Sequence, residues 1–249
     1  MRGTLGNLKF DAAPDVGQIK TGRAWRAALA KPVLLLASSR EGEELALLQN
    51  LKSFGPAALM DKALTATESV ASQVQWLIVP RHPQRFAAVA ELIEAQGFGV
   101  SRRSGWGSAG PSTTPGAAPC IWLGDSLGEM ALYYALADAA LLGGSFEPLG
   151  GQNLIEAAAC GCPVLMGPHT FNFAEAAEQA QSAGAAQRAA DLAHGISAAA
   201  ALVQDAPGLL ARQQACQRFA QSHRGAALRL AQAIQQVLLA ETRRQQEFR

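Results

Sequence analysis

The chain has 249 residues, of which 49% are apolar, 16% charged and 6% aromatic, and its formal net charge is +1. That length suits one large domain or two small ones and is enough to bury a core. The apolar content excludes disorder over most of the chain. The near-neutral charge argues against a non-specific nucleic-acid binder, and the apolar runs fall well short of the roughly 18 to 20 residues that cross a bilayer.

Met1-Arg2-Gly3 leads into Leu5-Gly6-Asn7-Leu8-Lys9-Phe10 without a hydrophobic region, so no secretory signal is expected. Pro32-Val33-Leu34-Leu35-Leu36-Ala37 reads as a strand buried on both faces. Ser38 with Glu41 has the spacing of a capping box and predicts a helix through Glu43, Glu44, Leu45 and Leu48. Trp76-Leu77-Ile78-Val79 is the next strand. It stops at Pro80-Arg81-His82-Pro83, where Pro83 can open a helix that Gly97 ends. Cys120-Ile121-Trp122-Leu123 is a third strand, and Ser126 with Glu129 predicts a second capping box. Ala139-Ala140-Leu141-Leu142 is a fourth strand, ending at Gly143-Gly144-Ser145. Asn153 with Glu156 suggests a third cap, on a helix closing near Gly161. Pro163-Val164-Leu165-Met166 is a fifth strand, and a short one is expected from Ala185 to Gln187.

Near-continuous apolar strands alternating with helices imply a parallel sheet covered on both faces. The fold class expected is therefore α/β, a single doubly wound, Rossmann-like domain with extra carboxyl-terminal helices. From Arg212 to Arg249 there are seven arginines and two acids, Glu241 and Glu247, which reads as one or two amphipathic helices packed on the domain. Gly105 to Pro119 is rich in Gly, Ser, Thr and Pro and reads as a flexible surface loop. Within it, Gly105-Trp106-Gly107-Ser108-Ala109-Gly110 matches GxGxxG by letters alone. A dinucleotide loop needs a strand before it and a helix after it, whereas polar residues precede this one and Pro111 follows. Cys120, Cys160, Cys162 and Cys216 lack the spacing of a zinc site and read as inert thiols of a reducing compartment. No metal and no cofactor is expected.

Ligands of an open parallel sheet bind at the carboxyl ends of its strands. Four predicted strand ends carry polar or glycine-rich segments: Ser38-Ser39, Arg81-His82, Gly143-Gly144-Ser145 and Gly167-Pro168-His169-Thr170. Gly150-Gly151-Gln152-Asn153 opens a helix, where glycines permit close approach and free N–H groups suit an anion. Glu156, placed about one turn in, suits sugar hydroxyls. Together these fit a nucleotide or a phosphorylated sugar.

In this order the segments resemble the carboxyl-terminal half of the 3-deoxy-D-manno-octulosonic acid (Kdo) transferases, which are GT-B glycosyltransferases of lipopolysaccharide assembly. The matching stretches are Gly6 to Asp11, Ser38 to Glu44, Val79 to Pro83, Gly124 to Glu129, Gly143 to Ser145, Gly150 to Glu156 and Pro163 to Phe173. The resemblance implies a CMP-Kdo donor. Arg81 and the backbone around it would hold the cytidine end, with His82 a neighbouring donor-site candidate, Gly144, Ser145, Gln152 and Asn153 would surround the phosphate, and Glu156 would take the ribose hydroxyls. Ser38 and Lys9 are carried as further donor-site candidates. Gln152 stands where the family usually has His, and Ser39-Arg40 replaces a Thr-His pair.

The resemblance also implies that residues 1–30 are a linker or the start of the domain and that residues 31–249 are the donor-binding domain. The family's amino-terminal half is expected to be absent here. By resemblance that half binds the lipid A precursor, supplies the catalytic carboxylate and meets the cytoplasmic side of the inner membrane, so no catalytic residue is assigned and the fragment is expected to be soluble. Two other readings stay open: a non-catalytic module that binds a nucleotide or sugar phosphate, and another GT-B enzyme such as a sugar-nucleotide epimerase.

Overall fold

The structure, a computed structural model, describes residues 13–53, 73–111, 119–223 and 225–247. Seven strands form one parallel sheet in the order β3-β4-β2-β1-β5-β6-β7. They are β1 (Val33–Ser39), β2 (Gln75–Pro80), β3 (Gly99–Arg102), β4 (Cys120–Leu123), β5 (Ala139–Leu142), β6 (Val164–Met166) and β7 (Ala186–Arg188). This is the doubly wound arrangement that the apolar runs predict.

Every residue of β1 is buried. Its side chains alternate, so Val33, Leu35 and Ala37 join the core on one face while Leu34 and Leu36 join the other. The first face is covered by α1 (Val16–Ala27), α4 (Met130–Leu136), α5 (Ile155–Ala159), α6 (Ala174–Ser182) and α8 (Ala206–His223). The second is covered by α2 (Glu43–Ser53), α3 (Phe86–Ala95) and α7 (Leu192–Gln204). Asp15 caps α1 by accepting from the Gln18 amide at 2.8 Å, and Asp191 caps α7 by accepting from the His194 amide at 2.8 Å.

Several local expectations are corrected. β3 escapes a search for apolar runs because it is a half-buried edge strand, Gly-Val-Ser-Arg, with a single large apolar residue. Ser38 and Glu41 form no capping box, because β1 continues through Ser39 and α2 starts only at Glu43. Ser126 does not cap a helix backbone either; its hydroxyl pairs with the Glu129 carboxylate and the Tyr133 hydroxyl. The first part of the Gly105–Pro119 stretch is tied down: Gly107 and Gly110 form an antiparallel bridge, and Trp106 packs edge-on against Trp25 and Trp122. The rest of it, 112–118, lies outside the described residues. In the carboxyl-terminal stretch, α8 packs through Ala215, Cys216, Phe219 and Ala220. On α9 (Ala226–Glu247), by contrast, Leu228 and Ile234 are 63% and 52% exposed, so packing on the domain is not met at those positions.

After β1 the chain builds one side of the sheet, through β2 to β4. It then crosses back to lay β5 on the other side of β1. The strand order therefore reverses between β1 and β5. That is the topological switch point, where open α/β sheets hold ligands beyond the carboxyl ends of their strands.

Candidate functional site

At the switch point the ends of β1 and β5 touch. The Gly143 amide donates to the Ala37 carbonyl at 2.9 Å, and a Cβ on Gly143 would lie 2.4 Å from the Ser38 carbonyl oxygen. Only glycine permits that approach. On the β1 side the register slips between Ala37 and Ser39, and Ser38 is held at φ 54°, the left-handed region that side chains rarely adopt. Backbone strain of this kind costs on the order of 1–3 kcal/mol and clusters at functional sites.

Two successive carboxylates at the start of α2 anchor what surrounds this junction. Glu43 accepts from the Gly144 amide through both oxygens at 2.8 Å and from the Arg40 amide at 2.8 Å. Burial pushes its carboxyl above the usual range, against the pull of those amides. Glu44 accepts both ends of the Arg85 guanidinium, at 2.7 and 3.0 Å, and the Ser39 hydroxyl at 2.6 Å.

The β5 and β6 ends are joined through Ser145. Its hydroxyl donates to the Leu142 carbonyl and accepts from the Gly167 amide at 2.8 Å. The side chain is fully buried, so the expectation that it faces a phosphate is corrected: its hydroxyl is occupied in tying two strands together. The glycine-rich turn after β5 is pinned from the β6 side. Gly151 donates to Gly144 at 2.7 Å, Asn172 donates from its backbone to Gly150 at 3.1 Å, and its side chain donates to Leu149 at 3.1 Å. Arg188 holds the facing loop by donating to the Gly167 carbonyl at 3.0 Å and the Thr170 hydroxyl at 3.2 Å.

Around this scaffold stand the side chains with unfilled capacity. Gln152 and Arg40 close over Gly144: from the position of a Cβ there, the Gln152 amide nitrogen is 3.3 Å away and Arg40 Cγ is 3.4 Å away. Asn153 accepts from the Ile155 amide at 3.0 Å. Glu156 sits in the first turn of α5, nearer the helix start than its spacing suggested. Burial raises its pKa, and no other described residue donates a hydrogen bond to its carboxylate. The Arg81 backbone is fixed by donation to the Ser39 carbonyl at 3.0 Å, while its exposed guanidinium has no partner among the described residues. His82 is half-buried beside it, and Ser38 is buried in the junction. Lys9 and its segment lie outside the described residues. Thus Arg81, His82, Ser38, Gly144, Ser145, Gln152, Asn153 and Glu156 all belong to elements at one sheet edge.

The loop after β4 shares that edge, but its acids are engaged. Asp125 accepts from the Ser104 amide and hydroxyl at 2.8 and 2.7 Å and pairs with Arg102 at 3.2 Å, and Glu129 pairs with Arg103 at 2.8 Å. The reading of the sequence missed Arg40, Arg85 and Arg188 as parts of the site. Arg85 and Arg188 act from sequence-distant elements, so spacing could not reveal them. The Glu43-Glu44 doublet opening an apolar helix was a readable signal.

A polar cleft of about 430 Å³ lies elsewhere, lined by Arg23, Arg26, Tyr134, Asp138, Cys160 and Gln217, beside the amino end of β5. The cysteines are unpaired thiols, and burial pushes Cys160 and Cys216 up to about 12. No described helix is long and apolar enough to cross a membrane.

No protein-family model matches the chain. Over 231 residues, 92% of its length, the chain is 42% identical to a 3-deoxy-D-manno-octulosonic acid transferase of Bordetella pertussis. It is 33% identical over 176 residues to the enzyme of that name from Haemophilus influenzae. It spans 50% and 36% of those relatives' own lengths. Among solved structures it resembles the C-terminal CMP-Kdo binding domain of WaaA from Acinetobacter baumannii, with a TM-score of 0.66 and 24% identity over 82% of this chain and 98% of that one. That likeness establishes the fold as the Rossmann-like carboxyl-terminal domain of a GT-B protein. In sequence the chain is thus similar to part of the 3-deoxy-D-manno-octulosonic acid transferases, and it spans about half the length, or less, of the curated relatives it matches.

Proposed function

We propose that this chain is the donor-binding half of a Kdo transferase and that CMP-Kdo lies in the crevice at the β1/β5 switch point. The observation that carries this reading is the presence, at one sheet edge, of a cation on the β2 end and a carboxylate on α5 whose side chains have no partner among the described residues. Arg81 is exposed and Glu156 half-buried, and neither side chain has a hydrogen-bond partner among the described residues, whereas the buried Glu43 and Glu44 are paired. Arg81 and His82 take the cytidine end. The Gly144 turn, Gln152 and Asn153 take the phosphate, with Arg40 adding positive charge. Glu156 accepts from the ribose hydroxyls. Ser145 and Ser38 shape the backbone behind them.

In transfer, an acceptor hydroxyl attacks the anomeric carbon of Kdo, the bond from that carbon to the phosphate oxygen breaks, and CMP departs with the bonding electrons. The hydroxyl proton must go to a base. Among the described carboxylates around the crevice, Glu43, Glu44, Asp125 and Glu129 already hold partners, Glu156 is assigned to ribose, and Glu41 and Glu147 are exposed to solvent, where nothing tunes them as a base. We therefore assign the base, and the site for a lipid A precursor on the cytoplasmic side of the inner membrane, to the remainder of a two-domain protein. Within residues 1–30, α1 packs on α4 and joins the core on the first sheet face, so we count it with residues 31–249 in the donor domain.

Calorimetric titration of CMP into the chain tests the reading, with Arg81→Ala as the control. The wild type should bind, and the variant should lose about 1.5–3 kcal/mol, the range for hydrogen bonds to charged groups. Equal affinity in the two would remove Arg81 from the site. A transfer assay with CMP-Kdo and lipid A precursor separates this reading from catalysis by the chain alone. Turnover by residues 1–249 would require a base within this domain.

A further inference from the structure

α2 opens with Glu43 and Glu44, and both are buried, at 1% and 0% exposure. Adjacent buried carboxylates lose hydration and repel each other, so each needs partners of its own. Consecutive helix residues leave the axis about 100° apart, and here the two side chains diverge to opposite sides of the switch point. Glu44 reaches the β2 side, where it holds Arg85 in a two-pronged ion pair and takes the Ser39 hydroxyl. Arg85 ends the short 3-10 turn Pro83–Arg85 that follows Arg81 and His82, and its amide donates to the His82 carbonyl at 3.0 Å. Glu43 reaches the β5 side, where its carboxylate holds the Gly144 amide and the Phe146 amide further stabilises its charged form. One helix turn thus grips both walls of the crevice by separate bonds.

We propose that Glu43 and Glu44 are positioning residues that hold those walls independently. Glu43 sets the phosphate side through Gly144, and Glu44 sets the nucleoside side through Arg85 and the turn behind Arg81. The naming of the two sides rests on the donor-site reading; the independence of the two anchors does not. A residue that only stabilised the fold would affect both walls alike.

The test is amide hydrogen exchange by NMR on the whole chain, comparing Glu43→Gln, Glu43→Asp, Glu44→Gln and Arg85→Ala. Arg85→Ala cuts the same tie from its 22% exposed end but leaves the buried Glu44 carboxylate without its ion pair, so Glu44→Gln, which removes the charge, serves as its control. The Glu43 variants should speed exchange at Gly144 by about tenfold or more and leave the Arg81 and Arg85 amides within about twofold. The Glu44 and Arg85 variants should do the reverse. A uniform rise at all amides, or an unchanged Gly144 amide in the Glu43 variants, would overturn the proposal. The same proteins are then titrated with cytidine and with CMP. The Glu43 variants should shrink the preference for CMP over cytidine by about fivefold or more, and the Glu44 and Arg85 variants should weaken both ligands equally. The same preference in all four variants would overturn the assignment of sides. A wild type that binds neither ligand would refute the donor-site reading, while the exchange pattern would still decide whether the anchors are independent.

Discussion

Gly143 and Ser38 meet closer than a side chain allows, since a Cβ on Gly143 would stand 2.4 Å from the Ser38 carbonyl oxygen. That oxygen belongs to backbone already held at φ 54°, so it has little room to yield. Gly143→Ala should therefore destabilise the chain by about 1–3 kcal/mol, the usual cost of forcing atoms into a packed site, and should weaken CMP as the two strand ends part. Urea unfolding and a CMP titration of the same variant check both effects. An unchanged unfolding midpoint would show that the junction relaxes freely.

Glu156 has its pKa raised by burial, which gives a pH dependence with a definite sign. The folded state binds the proton more tightly than the unfolded one. Its contribution to stability is thus fully present below the ordinary carboxylate pKa of 4.5 and is lost as pH rises through the folded value. Glu156→Gln should remove that loss and stabilise the chain at neutral pH, while weakening CMP because the ribose hydroxyls lose a charged acceptor. Thermal unfolding from pH 4 to 8, with and without CMP, reads both. A variant less stable than wild type at neutral pH would mean that Glu156 is held by favourable contacts and is not held unsatisfied.

Arg40 and Gln152 flank Gly144, where the resemblance leads one to expect histidines. If Arg40 supplies the positive charge that Gln152 lacks, Arg40→Ala should cost CMP about 1.5–3 kcal/mol and cost cytidine little. Gln152→His should tighten CMP more at pH 6 than at pH 8, because only the protonated imidazole adds charge. Loss of cytidine and CMP in equal measure in Arg40→Ala would place Arg40 away from the phosphate.

Gly22 packs α1 directly on α4, and a Cβ there would lie 2.4 Å from the Leu132 carbonyl oxygen. Gly22→Ala gains helix propensity, worth up to about 1 kcal/mol, but must push two helices apart. The second effect should win. Denaturant unfolding should show net destabilisation, and a net gain would mean that α1 docks loosely.

The sheet was legible in the sequence because β1, β2, β4, β5 and β6 are buried on both faces and read as apolar runs. β3 was not, since an edge strand needs only one covered face and Val100 is its one large apolar residue. The residues beyond the strand ends were legible as a group, because chain direction alone places them at one edge. What each side chain does there was less so. Ser145 looked like an anion ligand, yet its hydroxyl bridges Leu142 and Gly167, a contact between segments 22 residues apart that spacing cannot reveal. The Ser38–Glu41 pattern suggested a cap, but the strand ran on and the carboxylates that matter were Glu43 and Glu44.

CMP bound at the β1/β5 switch point perturbs the amides that line it, and chemical shifts recorded during a CMP titration locate it residue by residue. Saturable shifts are expected at Arg81, His82, Gly144, Gln152, Asn153 and Glu156, with little change around Arg23, Asp138 and Gln217 at the amino edge. Shifts confined to that amino-edge cleft, or none at the crevice at saturating CMP, would contradict that placement.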